Sequence, residues 1–123
     1  MVSDKRGARI LIVDDEPIIA LDLEQGLVNA GYEIAGVTGK IEKALSVVAS
    51  GACDAAILDA NLGGASATPI AAALTARGLP FLVLSGYSAH QQPEALRAAP
   101  HLQKPANWPQ LIKMLSSILA ARR

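Results

Sequence analysis

Asp14, Asp15, Asp59, Ser85 and Lys104 are the side chains of this 123-residue sequence whose types and placement could do chemistry. Each stands at the end of a short apolar run: "ILIVDD", "AAILD", "FLVLS" and "HLQK". Such positions add nothing to a core. Two carboxylates at ~4 Å repel by about 4 kcal/mol at an effective dielectric of 20. Uncompensated, one of them would take up a proton. A hard divalent cation is the natural compensation, because Mg²⁺ takes oxygen ligands and commonly uses one or two carboxylates together with phosphate oxygens. Three aspartates, one Mg²⁺ and one lysine sum to about zero charge, a neutral site for an incoming phosphoryl group. Aspartate is also a nucleophile that forms aspartyl-phosphate. The metal and Lys104 would neutralise charge on the transferring group.

That chemistry requires the strand ends to meet, and the pattern of the chain supplies a way. "RILIVDD", "YEIAGV", "CDAAILDA", "PFLVLSGY" and the very short "HLQKP" read as strands. Continuous β-branched and apolar runs suit strands covered on both faces. Between them lie helical stretches. "PIIALDLEQGLVNAG" has Pro17 for its first turn, Ile19, Leu23 and Leu27 one turn apart, and Gly31 at its stop. "IEKALSVVASG" closes on Gly51; "GGASATPIAAALTARG" is a loop followed by an alanine-rich helix; "PEALRAA" is a short helix; "NWPQLIKMLSSILAARR" has Asn107 as cap and Leu111, Leu115, Ile118 and Leu119 on one face. Five strands alternating with five helices predict an α/β, flavodoxin-like, doubly wound parallel sheet of order 2-1-3-4-5. Ligands of such sheets bind outside the carboxyl ends of the strands where the order reverses. With strands one and three as neighbours, the three aspartates share that edge.

Composition narrows the function classes. Apolar residues make up 51% and charged residues 18%, a globular balance. The expected organisation is one domain over 1–123 with an ordered core of about 8–121 and no effector domain. No apolar stretch approaches the ~20 residues that span a bilayer, and the N-terminus has no signal-peptide core. The lone Cys53 cannot form an internal disulfide and is expected to pack. These features predict a cytoplasmic protein. Formal net charge is zero and aromatics number four (Trp, two Tyr, Phe), which argues against nucleic-acid binding and base stacking.

The motifs "VDDE", "ILDANLGG", "LSGY" and "QKP", in this order and on these elements, resemble the receiver domain of two-component response regulators over essentially the whole chain. Each alone is weak; together they are specific. The resemblance implies that Asp14 and Asp15 bind Mg²⁺ and that Asp59 accepts a phosphoryl group from a histidine kinase or histidine phosphotransfer protein. It implies that the backbone carbonyl of Asn61 is a further metal ligand, that Ser85 is the switch hydroxyl, that Lys104 bonds the phosphoryl group, and that the Lys104–Pro105 peptide is cis. The output partner is unknown. The expected state is a monomer or a weak dimer through helix four, strand five and helix five, and the activity is that of a switch, not a turnover enzyme.

Two departures bear on the switch. Where many receivers carry Tyr or Phe three residues before the lysine, this chain has His101. Tyr87 follows Ser85 closely, and "PFLVLSGY" is similar to single-domain receivers that read P-F-x-F-A-T-G-Y. Tyr87 is then expected to report phosphorylation in place of His101, and Ser in place of Thr keeps the hydroxyl but loses the methyl that restricts its rotamer. Other roles stay open. Glu16 either sits near the metal through water or starts the first helix, and Trp108 packs or meets a partner. Gly63 and Gly64 shape a loop, and Arg122 and Arg123 suit the end of a helix dipole. Competing readings of the same site are a phosphate sink or shuttle for a shared kinase, and a pseudo-receiver that binds without reacting. A haloacid-dehalogenase-like phosphatase wants a second Asp where Asn61 stands.

Overall fold

The computed structural model describes residues 7–86, 93–97, 99–104 and 107–121. Five parallel strands form the main sheet: β1 (Arg9–Val13), β2 (Glu33–Thr38), β3 (Ala55–Asp59), β6 (Phe81–Ser85) and β7 (His101–Gln103). Their order is β2-β1-β3-β6-β7, the predicted 2-1-3-4-5 arrangement. The helices are α1 (Pro17–Asn29), α2 (Ile41–Ser50), α3 (Thr68–Ala76), the single-turn α4 (Glu94–Arg97) and α5 (Trp108–Ala121).

The unbroken apolar runs are explained by alternation between two cores. On one face Leu11, Val13, Ala56, Leu58 and Val83 pack with Ala44 and Val48 of α2, Ile70, Ala71 and Leu74 of α3 and Leu96 of α4. On the other, Ile10, Ile12, Ile57, Leu82, Leu84 and Leu102 pack with Leu23 and Leu27 of α1 and Leu111, Leu115 and Leu119 of α5. A strand sends successive side chains to opposite faces, so a sheet covered on both sides shows no polar period. Cys53 is buried, as expected.

The stretch after β3 read from sequence as a loop is a tight hairpin. β4 (Asn61–Leu62) pairs antiparallel with β5 (Ala65–Ser66). Gly63 and Gly64 form its turn with φ of 61° and 94°. A two-residue turn with both centres at positive φ matches the twist of its strands and is open to glycine at little steric cost. The Asn61 side-chain oxygen accepts from the Gly64 N–H at 2.8 Å and closes the hairpin.

At α5 the predicted cap is present: the Asn107 side-chain oxygen accepts from the Gln110 N–H at 3.0 Å. Trp108, next in the chain, is half-buried, and its ring occupies the space where a Cβ on Gly26 of α1 would fall. The packing reading of Trp108 therefore holds, and the absent side chain at Gly26 lets α1 and α5 approach. No described helix is long and apolar enough to cross a membrane.

Candidate functional site

Parallel pairing of β1 with β3 and of β3 with β6 brings their carboxyl ends to one edge of the sheet. Asp14 follows β1, Asp59 ends β3, Ser85 ends β6 and Lys104 follows β7. Backbone bonds fix these positions. The Asp14 N–H donates to the Thr38 carbonyl at 3.0 Å, the Ala60 N–H to the Leu84 carbonyl at 3.0 Å, and the Lys104 N–H to the Ser85 carbonyl at 2.9 Å.

Asp14 and Asp59 are buried and Asp15 is exposed; one carboxylate oxygen from each lies within 4.8 Å of the others. Each buried acid has one oxygen held by the chain that follows it. Asp14 Oδ1 accepts from the Glu16 N–H at 2.9 Å, and Asp59 Oδ1 accepts from the Asn61 N–H at 3.2 Å. Their other oxygens turn to Lys104, whose Nζ is 3.1 Å from Asp59 Oδ2 and 3.6 Å from Asp14 Oδ2. Asp14 Oδ2 is buried and has no hydrogen-bond partner. Burial raises the Asp14 carboxyl above the usual range, and the Asp59 charge adds to this against the Glu16 N–H and Lys104, which favour the anion. For Lys104 the largest single influence is burial, which pushes it down. The hydrogen bonds to Glu16 and Asp59 and the charges of Asp59 and Asp14 together outweigh it, so the ammonium is held above its usual value.

This donor set fits a hard divalent cation. It is all oxygen, it carries more negative charge than Lys104 balances, and it contains a buried carboxylate oxygen that nothing hydrogen-bonds. Asp14, Asp15 and Asp59 are the residues that could hold such an ion.

Ser85 is buried at the end of β6, joined through its carbonyl to the backbone of Lys104. Asn61 touches the site through its N–H. His101 is half-buried on β7 and paired in register with Val83. Its Nδ1 lies 2.9 Å from the Ala99 carbonyl, and its Nε2 is buried without a hydrogen-bond partner. It is therefore a strand residue outside the acid cluster. Tyr87 and the Lys104–Pro105 peptide lie outside the described residues.

Two contacts were not legible beforehand. Glu16 starts the first helix, one of the two roles considered for it, and its carboxylate makes a further contact. It occupies the cap position of α1 without a side-chain capping bond, and its Oε1 accepts from Lys104 Nζ at 3.1 Å. Gly39, just past β2, presses on the acid loop: a Cβ there would lie 2.7 Å from Asp15 Cα. Neither neighbour is close in sequence, so no local signal marks either contact.

Residues 10–116 match the response regulator receiver domain family. Over 108 residues, 85% of the chain, the sequence is 30% identical to the transcriptional regulatory protein PdtaR of Mycobacterium tuberculosis; the chain spans about half the length of that relative, 53%. Among solved structures it is similar to SdrG of Sphingomonas melonis Fr1, at 40% identity and a TM-score of 0.80, covering 97% of this chain and 99% of that one. It is also similar to a response regulator receiver protein of Sinorhizobium medicae WSM419, at 28% identity and a TM-score of 0.81, covering 98% and 100%. The PhyR receiver domain of Erythrobacter litoralis shares the fold at 22% identity, with a TM-score of 0.82 over 95% of this chain and 93% of that one. With the parallel five-stranded sheet and the acids gathered at its carboxyl edge, these matches place the chain in the response regulator receiver domain family of two-component signalling.

Proposed function

We propose that the chain is a phosphorylatable signalling switch in which Asp59 accepts a phosphoryl group. The observation that carries this reading is the pairing of Asp59 Oδ2 with the Lys104 ammonium at 3.1 Å beside a second buried acid, Asp14. The donor is a phosphohistidine on a histidine kinase or phosphotransfer protein, or a small acyl phosphate. An Asp59 carboxylate oxygen forms the bond to phosphorus from the side opposite the leaving group. The bond from phosphorus to the donor nitrogen or oxygen breaks, and its electron pair leaves with the donor.

Asn61 orients the nucleophile through its N–H on Oδ1. Lys104 follows the phosphoryl oxygens and offsets their charge. Asp14, Asp15 and Asp59, with the Asn61 carbonyl, would hold Mg²⁺. When bound, that ion supplies charge neutralisation for acid and phosphoryl oxygens alike. The Ser85 hydroxyl is the switch group, which turns toward the new acceptor oxygens. The output is a change of protein–protein affinity, so the chain acts as a regulator and not as a turnover enzyme.

Intact mass after incubation with acetyl phosphate tests this, with and without Mg²⁺, in wild type and Asp59→Asn. The expected result is a Mg²⁺-dependent phosphoryl adduct in wild type alone. Its absence, where a reactive receiver gains one, would put the non-reacting pseudo-receiver reading in its place.

A further inference from the structure

Lys104 Nζ is shared by three carboxylates. Asp59 Oδ2 and Glu16 Oε1 are each at 3.1 Å and Asp14 Oδ2 is at 3.6 Å. Asp59 and Asp14 are buried, while the Glu16 side chain is 58% exposed and lies at the mouth of the site. The Glu16 carboxylate makes no capping bond to its own helix. Its position is set by the chain, since the Glu16 N–H is held by Asp14 Oδ1 and its carbonyl accepts from the Ala20 N–H.

From these contacts we infer that Glu16 is a positioning residue that tethers Lys104 in the resting site and competes with the incoming phosphoryl oxygens for its ammonium. The inference rests on the phosphoacceptor reading of Asp59. In the reaction with acetyl phosphate, an Asp59 oxygen bonds to phosphorus as the bond from phosphorus to the acetate oxygen breaks. Acetate leaves with the electron pair, and no proton is transferred. Charge moves onto the equatorial phosphoryl oxygens, and Lys104 must turn toward them. An ammonium shared with Glu16 gives up that pair first. Because the Glu16 carboxylate is largely solvated, the tether is weak enough to be displaced, and its removal speeds the reaction only modestly.

The test follows the rate of adduct formation from acetyl phosphate by intact mass, at saturating Mg²⁺ and low salt. The proteins are wild type, Glu16→Gln, Lys104→Ala and the double variant, with thermal unfolding recorded for each. Glu16→Gln is expected to react about two- to fivefold faster than wild type. The gain should shrink toward one near 1 M salt, where exposed ion pairs are screened, and vanish in the Lys104→Ala background. The Mg²⁺ concentration for half-maximal rate should change less than about threefold. A Glu16→Gln protein no faster than wild type, or slower with a tenfold greater Mg²⁺ requirement, overturns the tether. So does a gain that persists without Lys104, since Glu16 would then act on the donor directly. Absence of an adduct in wild type is a different failure, that of the phosphoacceptor reading itself.

Discussion

Gly39 lies directly against the backbone of Asp15: a Cβ on Gly39 would stand 2.7 Å from Asp15 Cα and 3.2 Å from the Asp14 carbonyl oxygen. The turn after β2 thus forms a wall for the loop that carries both β1 acids. Gly39→Ala forces that loop to move, because the obstructing atoms are backbone. The expected cost is about 1–3 kcal/mol, typical of an added methyl in a packed site. It should appear in urea unfolding together with weaker Mg²⁺ binding by calorimetry. A variant with unchanged midpoint and Mg²⁺ affinity would show that the loop is free to shift.

The raised Asp14 carboxyl has a consequence for stability. Its folded pKa lies above the unfolded one, so the native state binds the proton more tightly. Stability therefore falls as pH rises from the unfolded value, about 3.9, through the folded one, and the cost is fully present above both. Asp14→Asn removes this charge and keeps an oxygen for the Glu16 N–H. Without Mg²⁺ the variant should be more stable than wild type at pH 7, with the difference shrinking toward pH 4. Adding Mg²⁺ at a hundred times its dissociation constant should stabilise wild type by about 2.7 kcal/mol. The variant should gain much less. Melting curves across pH, with and without Mg²⁺, test both parts.

Lys104 carries the opposite sign. Its raised value means a stabilising contribution that is complete below the unfolded lysine value, about 10.4, and is lost as pH rises through the folded one. Lys104→Ala should lower the melting temperature at pH 7 in the absence of Mg²⁺, because Asp14 and Asp59 then face each other unscreened. It should also slow formation of the phosphoryl adduct by about 100-fold, the scale for losing one charge-stabilising donor. A rate within threefold of wild type would remove Lys104 from the transfer step.

Gly26 and Trp108 make the contact between α1 and α5 a reporter as well as a joint. Gly26→Val places side-chain atoms where the indole lies. We expect destabilisation of about 1–3 kcal/mol and a red-shifted emission from the single tryptophan as its ring moves into water. An unchanged spectrum would mean that the ring does not rest on α1.

Much of the architecture was legible because it is written in local periods. The apolar runs around Ile10–Val13 and Ala55–Leu58 identify strands covered on both faces, and the one-turn spacing of Leu111, Leu115 and Leu119 identifies a buried helix face. The acids at the strand ends were conspicuous because a charge there serves no core. The hairpin at Gly63–Gly64 was missed because strands of two residues carry no period.

By itself, then, the sequence determined the helices, the five strands of the parallel sheet and the set Asp14, Asp15, Asp59 and Lys104 at its strand ends, since each follows from residue type and near-neighbour spacing. Only the tertiary structure decided what each of these touches. Glu16 finds Lys104 across 88 residues, Gly39 makes room for Asp15, and Asp14 Oδ2 is left buried without a hydrogen bond. The physical reason is that strand pairing sets these contacts. Charges and close approaches between distant segments exist only once β2, β1, β3, β6 and β7 lie side by side.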